Sequence, residues 1–154
     1  MHHKKIYPYV HLIHHKSTNP TPWAVFAFHP FEALAQVAIL PVMIFIMPLH
    51  PLAIFIWGIY QLALNVGGHV GFEIFPSNFT KNPLTRWHNS STHHNMHHRY
   101  VTCNYGLYFN IWDRLMGTNH PRYEEEYEAI CARREAMKQQ PATVTETEQK
   151  AATA

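Results

Sequence analysis

Two stretches of this chain crowd imidazoles together at helical spacing. "STHHNMHHRY", residues 91–100, holds four histidines in six positions, and "HLIHHKS", residues 11–17, holds three. His11, His14 and His15 form the pattern HxxHH, and His94, His97 and His98 repeat it. On an α-helix, positions i, i+3 and i+4 share a face, so each triplet aims three rings into one small volume. Clustered neutral imidazoles suit zinc, copper, iron or nickel. One ion would not ordinarily be ringed by six or more histidines, so the pattern points to two metal ions.

The elements that must bring the triplets together lie between them. From Ala33 to Phe72, forty residues pass without an Asp, Glu, Lys or Arg. That is the length of about two membrane spans of roughly 20 residues each. "PLHP" at 48–51 divides the run, and its prolines read as a turn between helices. No polar stripe of period 3.6 interrupts the apolarity, which favours membrane spans near 31–48 and 52–70 over a buried soluble pair. A tight hairpin is expected, its first helix kinked at Pro41. A hairpin returns the chain to the side it left, so residues 1–30 and 73–154 share one face and the triplets can meet. Every Lys and Arg falls in these outer segments and none in the turn, which places both termini in the cytoplasm. The expected fold is all-α: an integral, multi-pass membrane helical protein with a cytoplasmic histidine-rich helical cap.

Other histidines are graded by position. His69, in "NVGGHVGFE", ends the second span, where an ionisable residue is costly and by default functional; a hydrogen bond between helices is the plainer alternative. Gly67 and Gly68 beside it would allow close approach of backbone or ligand. His29, at the start of the first span, fits a ligand, a donor to a ligand, or an interfacial residue equally well. His50 belongs to the far turn and is left out of the site, while His88, His93 and His120 read as supporting or surface residues.

Composition narrows the classes further. The 154 residues suit about one domain, and 14% charged residues fall well below the roughly 25% of ordinary soluble domains. A net charge of +2 without a Lys/Arg run argues against a nucleic-acid partner. Cys103 and Cys131 form no CxxC pair, so neither a disulfide framework nor a thiolate metal site is indicated. The opening "MHHKKIYPYVHLIHHKS" is polar where a signal peptide needs an apolar core. Residues 104–118 mix aromatics with one charge pair and are expected at the membrane surface; 121–140 reads as an amphipathic helix and 141–154 as a disordered tail.

The stretches "HLIHHKS", "TPWAVFAFHPFEA", "GHVGFEIFP" and "STHHNMHHRYVTCNYGLYFNIWDRLMGT" resemble the fatty acid hydroxylase/sterol desaturase superfamily of membrane-bound, histidine-rich di-iron oxygenases. The resemblance covers roughly residues 1–120, read as one hydroxylase-like domain. It implies two iron ions (zinc in purified samples), O2 as co-substrate, and hydroxylation or desaturation of a fatty acyl or sterol-like C–H bond. His2, His11, His14, His15, His69, His94, His97 and His98 are the implied ligands, with no catalytic residue beyond the metals. His29, His93, Asn104, Tyr105 and Asp113 are candidates for ligation or for orienting ligands. The family places an HxxxH box before the equivalent of "HHKKIY", with His2 as its second histidine, so the chain is expected to be an N-terminally truncated form. No nucleotide-binding glycine motif is present, which implies a separate electron-carrier protein or reductase. Metal transport is the rival class, but it calls for polar ligands along the spans, whereas these histidines crowd at one end.

Overall fold

A computed structural model describes residues 1–139; the tail expected at 141–154 lies outside the described residues. Within them the regular elements are helical: α1 (Tyr7–Val10), α2 (Leu12–His15), a 3-10 turn (Pro22–Phe26), α3 (Pro30–Ile46), α4 (Pro51–Gly68), α5 (Ser91–Tyr100), α6 (Ile111–Met116) and α7 (Tyr123–Gln139). Among the described residues extended pairing is confined to one isolated bridge, His88 with Phe109.

The long apolar helices begin with the same device. His29 and His50 are N-caps whose Nδ1 atoms accept the Phe31 and Leu52 N–H at 3.3 and 3.1 Å, and a proline follows each. Proline suits the first helical position, where its missing N–H costs nothing. α3 runs on through Pro41 rather than ending there. By length and composition α4, with 18 residues, can cross a membrane, and α3 is one residue shorter. Their large side chains point outward on all sides: Leu34, Val37, Phe45, Phe55 and Ile59 are all more than half exposed.

Residues 47–50 join α3 to α4 where the sequence placed the turn. The main contacts of the two helices are with other elements: α4 lies on the 3-10 turn and α5, and α3 touches α1. Close helix pairing in apolar surroundings uses small residues at the seam. Here Gly58 meets nothing within 4 Å of where a Cβ would stand, so the residue best suited to a seam is not used as one. A cleft of about 370 Å³ lies between Gln36 and Ile39 on one side and Trp57, Gln61 and Asn65 on the other.

Below the cleft lies the cap. α7 buries Tyr123, Tyr127 and Cys131, an i, i+4, i+8 stripe, against Phe79 and Met96. Arg134 donates to the Glu73 and Phe75 carbonyls at 2.8 Å each, tying α7 to the segment after α4. The close approaches expected at Gly67 and Gly68 occur elsewhere: Gly67 is open and Gly68 is at ordinary contact distance from the His94 ring. Gly106, where a Cβ would overlap the Phe109 carbonyl oxygen, and Gly71, with φ +76° and a would-be Cβ 2.9 Å from the Pro20 carbonyl oxygen, are the constrained ones.

Candidate metal centre

α5 carries His94, His97 and His98 and is held by carboxylate and hydroxyl caps. Ser90 Oγ accepts the His93 N–H at 3.2 Å, and Glu73 Oε2 accepts from the Thr92 N–H at 3.1 Å and the Thr92 hydroxyl at 2.7 Å. These bonds satisfy donors that a helix start leaves open. At the other end Val101 takes a left-handed φ of 64°, a conformation costing a β-branched residue about 1–2 kcal/mol. The turn it makes delivers the Cys103 carbonyl to His97 Nδ1 at 2.7 Å.

The structure brings eight of the predicted histidines into two adjoining groups, His2–His11–His15–His97 and His14–His69–His94–His98, with the candidate ligand atoms of each within 4.8 Å of one another. Each HxxHH motif is divided between them. His11 and His15 go one way and His14 the other; His94 and His98 go one way and His97 the other. The i/i+4 pair shares a group, while i+3, turned about 100° from i+4, reaches the second.

The ring tautomers follow from the outer partners. His14, His69 and His98 donate their Nδ1–H to the carbonyls of Ala27, Asn65 and Ser17 at 3.3, 2.7 and 3.0 Å. A carbonyl only accepts, so in the neutral rings each Nε2 is a bare lone pair. These Nε2 atoms nevertheless converge: His69 lies 3.4 Å from His14 and 3.3 Å from His98, and His94 lies 2.9 and 3.2 Å from His69 and His98. His94, whose Nδ1 is buried without a partner, can offer one proton to such a set, not several. Four nitrogens around one ion at about 2.0–2.1 Å stand about 3.3 Å apart in tetrahedral geometry, so the donor set fits a transition-metal ion.

The other group is supported by a carboxylate that sequence reasoning passed over. Glu32, 2% exposed, lies 2.8 Å from His11 Nδ1 through Oε1, which also accepts from the Gln36 amide at 3.1 Å. His2 Nε2 and His15 Nε2 face each other at 3.0 Å, and the Tyr105 ring packs edge-on to His2 and His97. Burial, then the charge His97 would carry, pushes His2 down to about 3 and His15 to about 2. Burial and neighbouring histidines likewise bring His14 to about 4 and His98 to about 3. At neutral pH these rings are therefore uncharged, the form that binds metal.

The remaining candidates stand outside both groups. His29 caps α3. His93 turns to the back of α5, its Nε2 3.2 Å from Asn119 Oδ1 and its ring edge-on to Tyr123. Asn104 bridges the His93 carbonyl and the His120 N–H, and Asp113 accepts from the Tyr105 and Gly106 N–H and the Thr118 hydroxyl. Asn104 and Asp113 shape the loop that carries Tyr105. The missed carboxylates had a sequence signal: Glu32 and Glu73 are the two residues that bound the uncharged run, and both are buried.

An all-helical frame holds two four-histidine groups, each able to hold a metal ion, below a pair of apolar helices. The fatty acid hydroxylase family model matches residues 1–118, and the chain belongs to that family. It is 38% identical over 133 residues to a Delta(7)-sterol 5(6)-desaturase of Gibberella zeae, covering 84% of this chain and 39% of that protein. It is 36% identical over 123 residues to the lathosterol oxidase of Mus musculus, covering 79% and 39%. Cholesterol 25-hydroxylase of Mus musculus is 29% identical over 134 residues, covering 86% and 44%. The chain thus spans about two fifths of the length of these relatives. No solved structure matches it.

Proposed function

We propose that this chain forms the metal centre of a membrane enzyme that uses O2 to desaturate or hydroxylate a sterol-like lipid. The observation that carries the reading is the pair of adjoining four-histidine groups at the inner end of an apolar-walled cleft. Kinship with sterol desaturases supports a sterol substrate over a simple fatty acid.

In this reading His2, His11, His15 and His97 hold one iron, and His14, His69, His94 and His98 the other. Iron bound there would supply the redox chemistry, activation of O2 and attack on an unactivated C–H bond. The protein's part is ligand geometry and exclusion of water. The Ala27, Asn65, Ser17 and Cys103 carbonyls hold protons at Nδ1 and aim Nε2 inward. Glu32 does the same for His11 with a charge, making that ring the more basic donor. The walls contributed by α3 and α4 admit a lipid from the side and exclude water from its reacting end.

α3 and α4, about 26–27 Å long at 1.5 Å per residue, match a hydrocarbon core of about 30 Å. Their exposed apolar surface would be unfavourable in water and belongs in a bilayer. With both helices spanning, termini and metal centre lie on the cytoplasmic side. Desaturation or hydroxylation with O2 takes two electrons per turnover from outside, so a separate electron-carrier protein or reductase is part of the reading. The test is iron content together with sterol-dependent O2 consumption and product analysis in membranes. Two irons per chain and an oxidised sterol are expected; sterol-independent metal uptake into vesicles would replace the reading with transport.

A further inference from the structure

A second cavity lies on the other face of α5. His94, His97 and His98 project from one side of that helix. Thr92, Asn95, Met96 and Arg99, spaced i, i+3, i+4 and i+7, occupy the opposite side and line a groove of about 610 Å³. α7 faces them with Glu126, Ile130, Arg133, Arg134 and Met137, again one helical stripe. Gly71 and Phe72, just beyond the end of α4, complete the wall.

The groove has an apolar floor and an excess of positive charge. Met96 is buried and Ile130 half-buried. Glu73 lines the groove, but its oxygens each accept two bonds already, Oε1 from the Ile74 and Phe75 N–H and Oε2 from the Thr92 N–H and hydroxyl. Glu126 lies 3.4 Å from Arg122, and Arg134 lies 3.2 Å from Glu135, so these charges are met. Among the described residues Arg99 and Arg133, one on each facing helix, stand beyond ion-pair distance of any carboxylate. Two such guanidinium groups above an apolar floor fit an amphiphile with a phosphate head, which arginine's planar fork binds through paired hydrogen bonds.

The groove also sits beside the end of α4. Arg134 reaches the Glu73 and Phe75 carbonyls, which holds the second half of α7 against the segment that leaves α4. At the rim Phe72 and Met137 are 65% and 67% exposed. Exposed apolar side chains among arginines suit a membrane surface, where the first enter the acyl region and the second meet anionic head groups.

We propose that this groove binds one anionic phospholipid of the leaflet next to the cap, its phosphate between Arg99 and Arg133 and an acyl chain along Met96, Ile130 and Met137. Glu73 and Thr92, which cap α5, belong to the wall, so the lipid braces the helix that carries His94, His97 and His98. The proposal rests on the membrane-spanning reading of α3 and α4 and is independent of the oxidation.

The full chain in uncharged detergent micelles, titrated with dioctanoyl phosphatidic acid, dioctanoyl phosphatidylcholine, inorganic phosphate or hexaglutamate, tests it, with bound molecules counted by native mass spectrometry. One phosphatidic acid per chain is expected, held at least about 10-fold more tightly than phosphatidylcholine and not displaced by inorganic phosphate at the same concentration. Arg99→Gln combined with Arg133→Gln should bring the two lipids within about twofold of each other. Arg86→Gln removes an exposed cation stacked on Trp87, outside the groove, and should leave the preference unchanged. Equal retention of the two lipids, equal binding of inorganic phosphate, tighter binding of hexaglutamate, or a preference that survives the double variant would each overturn the proposal. The lipid series on the unaltered protein decides it even if the double variant fails to fold. Alkaline carbonate extraction separates the two readings. A chain released from membranes removes the spanning helices and this proposal together; a chain that stays but shows no lipid preference removes this proposal alone.

Discussion

The two histidine groups are near copies in composition and differ in what stands behind them. His14–His69–His94–His98 takes one histidine from the C-terminal end of α4, and three of its four outer nitrogens rest on neutral backbone carbonyls. His2–His11–His15–His97 takes none from the apolar helices; α3 reaches it through Glu32, bonded to His11. One group is therefore tied to α4 by a ligand and the other to α3 by a carboxylate. The same ion would feel the Glu32 carboxylate from a distance in the first, where it acts on His14, and through a direct bond to His11 in the second. If both groups bind metal, the two sites should be unequal in affinity, with the Glu32-backed group favoured for a dication by the closer charge.

The largest test of that contrast is ligand removal. His97→Ala in the Glu32-backed group and His94→Ala in the other should each lower metal content from two ions toward one and abolish lipid oxidation, with membrane insertion unchanged; retained turnover would remove these residues from the ligand set. His69→Ala should also loosen α4 from the cap, seen as faster hydrogen exchange at the end of α4, an effect His2→Ala should not share. Glu32→Gln keeps the shape and removes the charge. It should weaken metal binding by about 10–100-fold at one group only, turning a metal titration visibly biphasic, and a uniform loss at both groups would erase the distinction. Glu73→Gln serves as the counter-case, because it caps the helix that feeds both groups. It should cost about 1–3 kcal/mol of stability in denaturant unfolding and lower both affinities in parallel. The smallest effect is expected from Val101→Gly, which relieves the left-handed strain and should leave stability unchanged or raise it by about 1 kcal/mol.

Much of the site was legible in the sequence because metal ligands must be of particular types at helical spacing. The two HxxHH motifs and His69 could be named without coordinates. Their supporting atoms could not, because three of the four carbonyl acceptors, those of Ala27, Asn65 and Ser17, belong to residues whose side chains carry no signal for that role. Glu32 and Glu73 were visible as the ends of an uncharged run, yet only burial shows that they are held inside rather than solvated. The hairpin is a similar case. Apolar length predicted α3 and α4, but their main contacts depend on which side chains meet, and Gly58 at an open face could not be told from Gly58 at a seam.

What the residues determined unaided was local: two apolar helices with proline-marked starts, and imidazoles crowded at their ends. The tertiary structure alone decided how the imidazoles are shared. Each motif sends its i and i+4 rings to one group and its i+3 ring to the other. Helical periodicity allows that division but does not impose it, since rings about 100° apart converge or diverge according to what the facing helix offers.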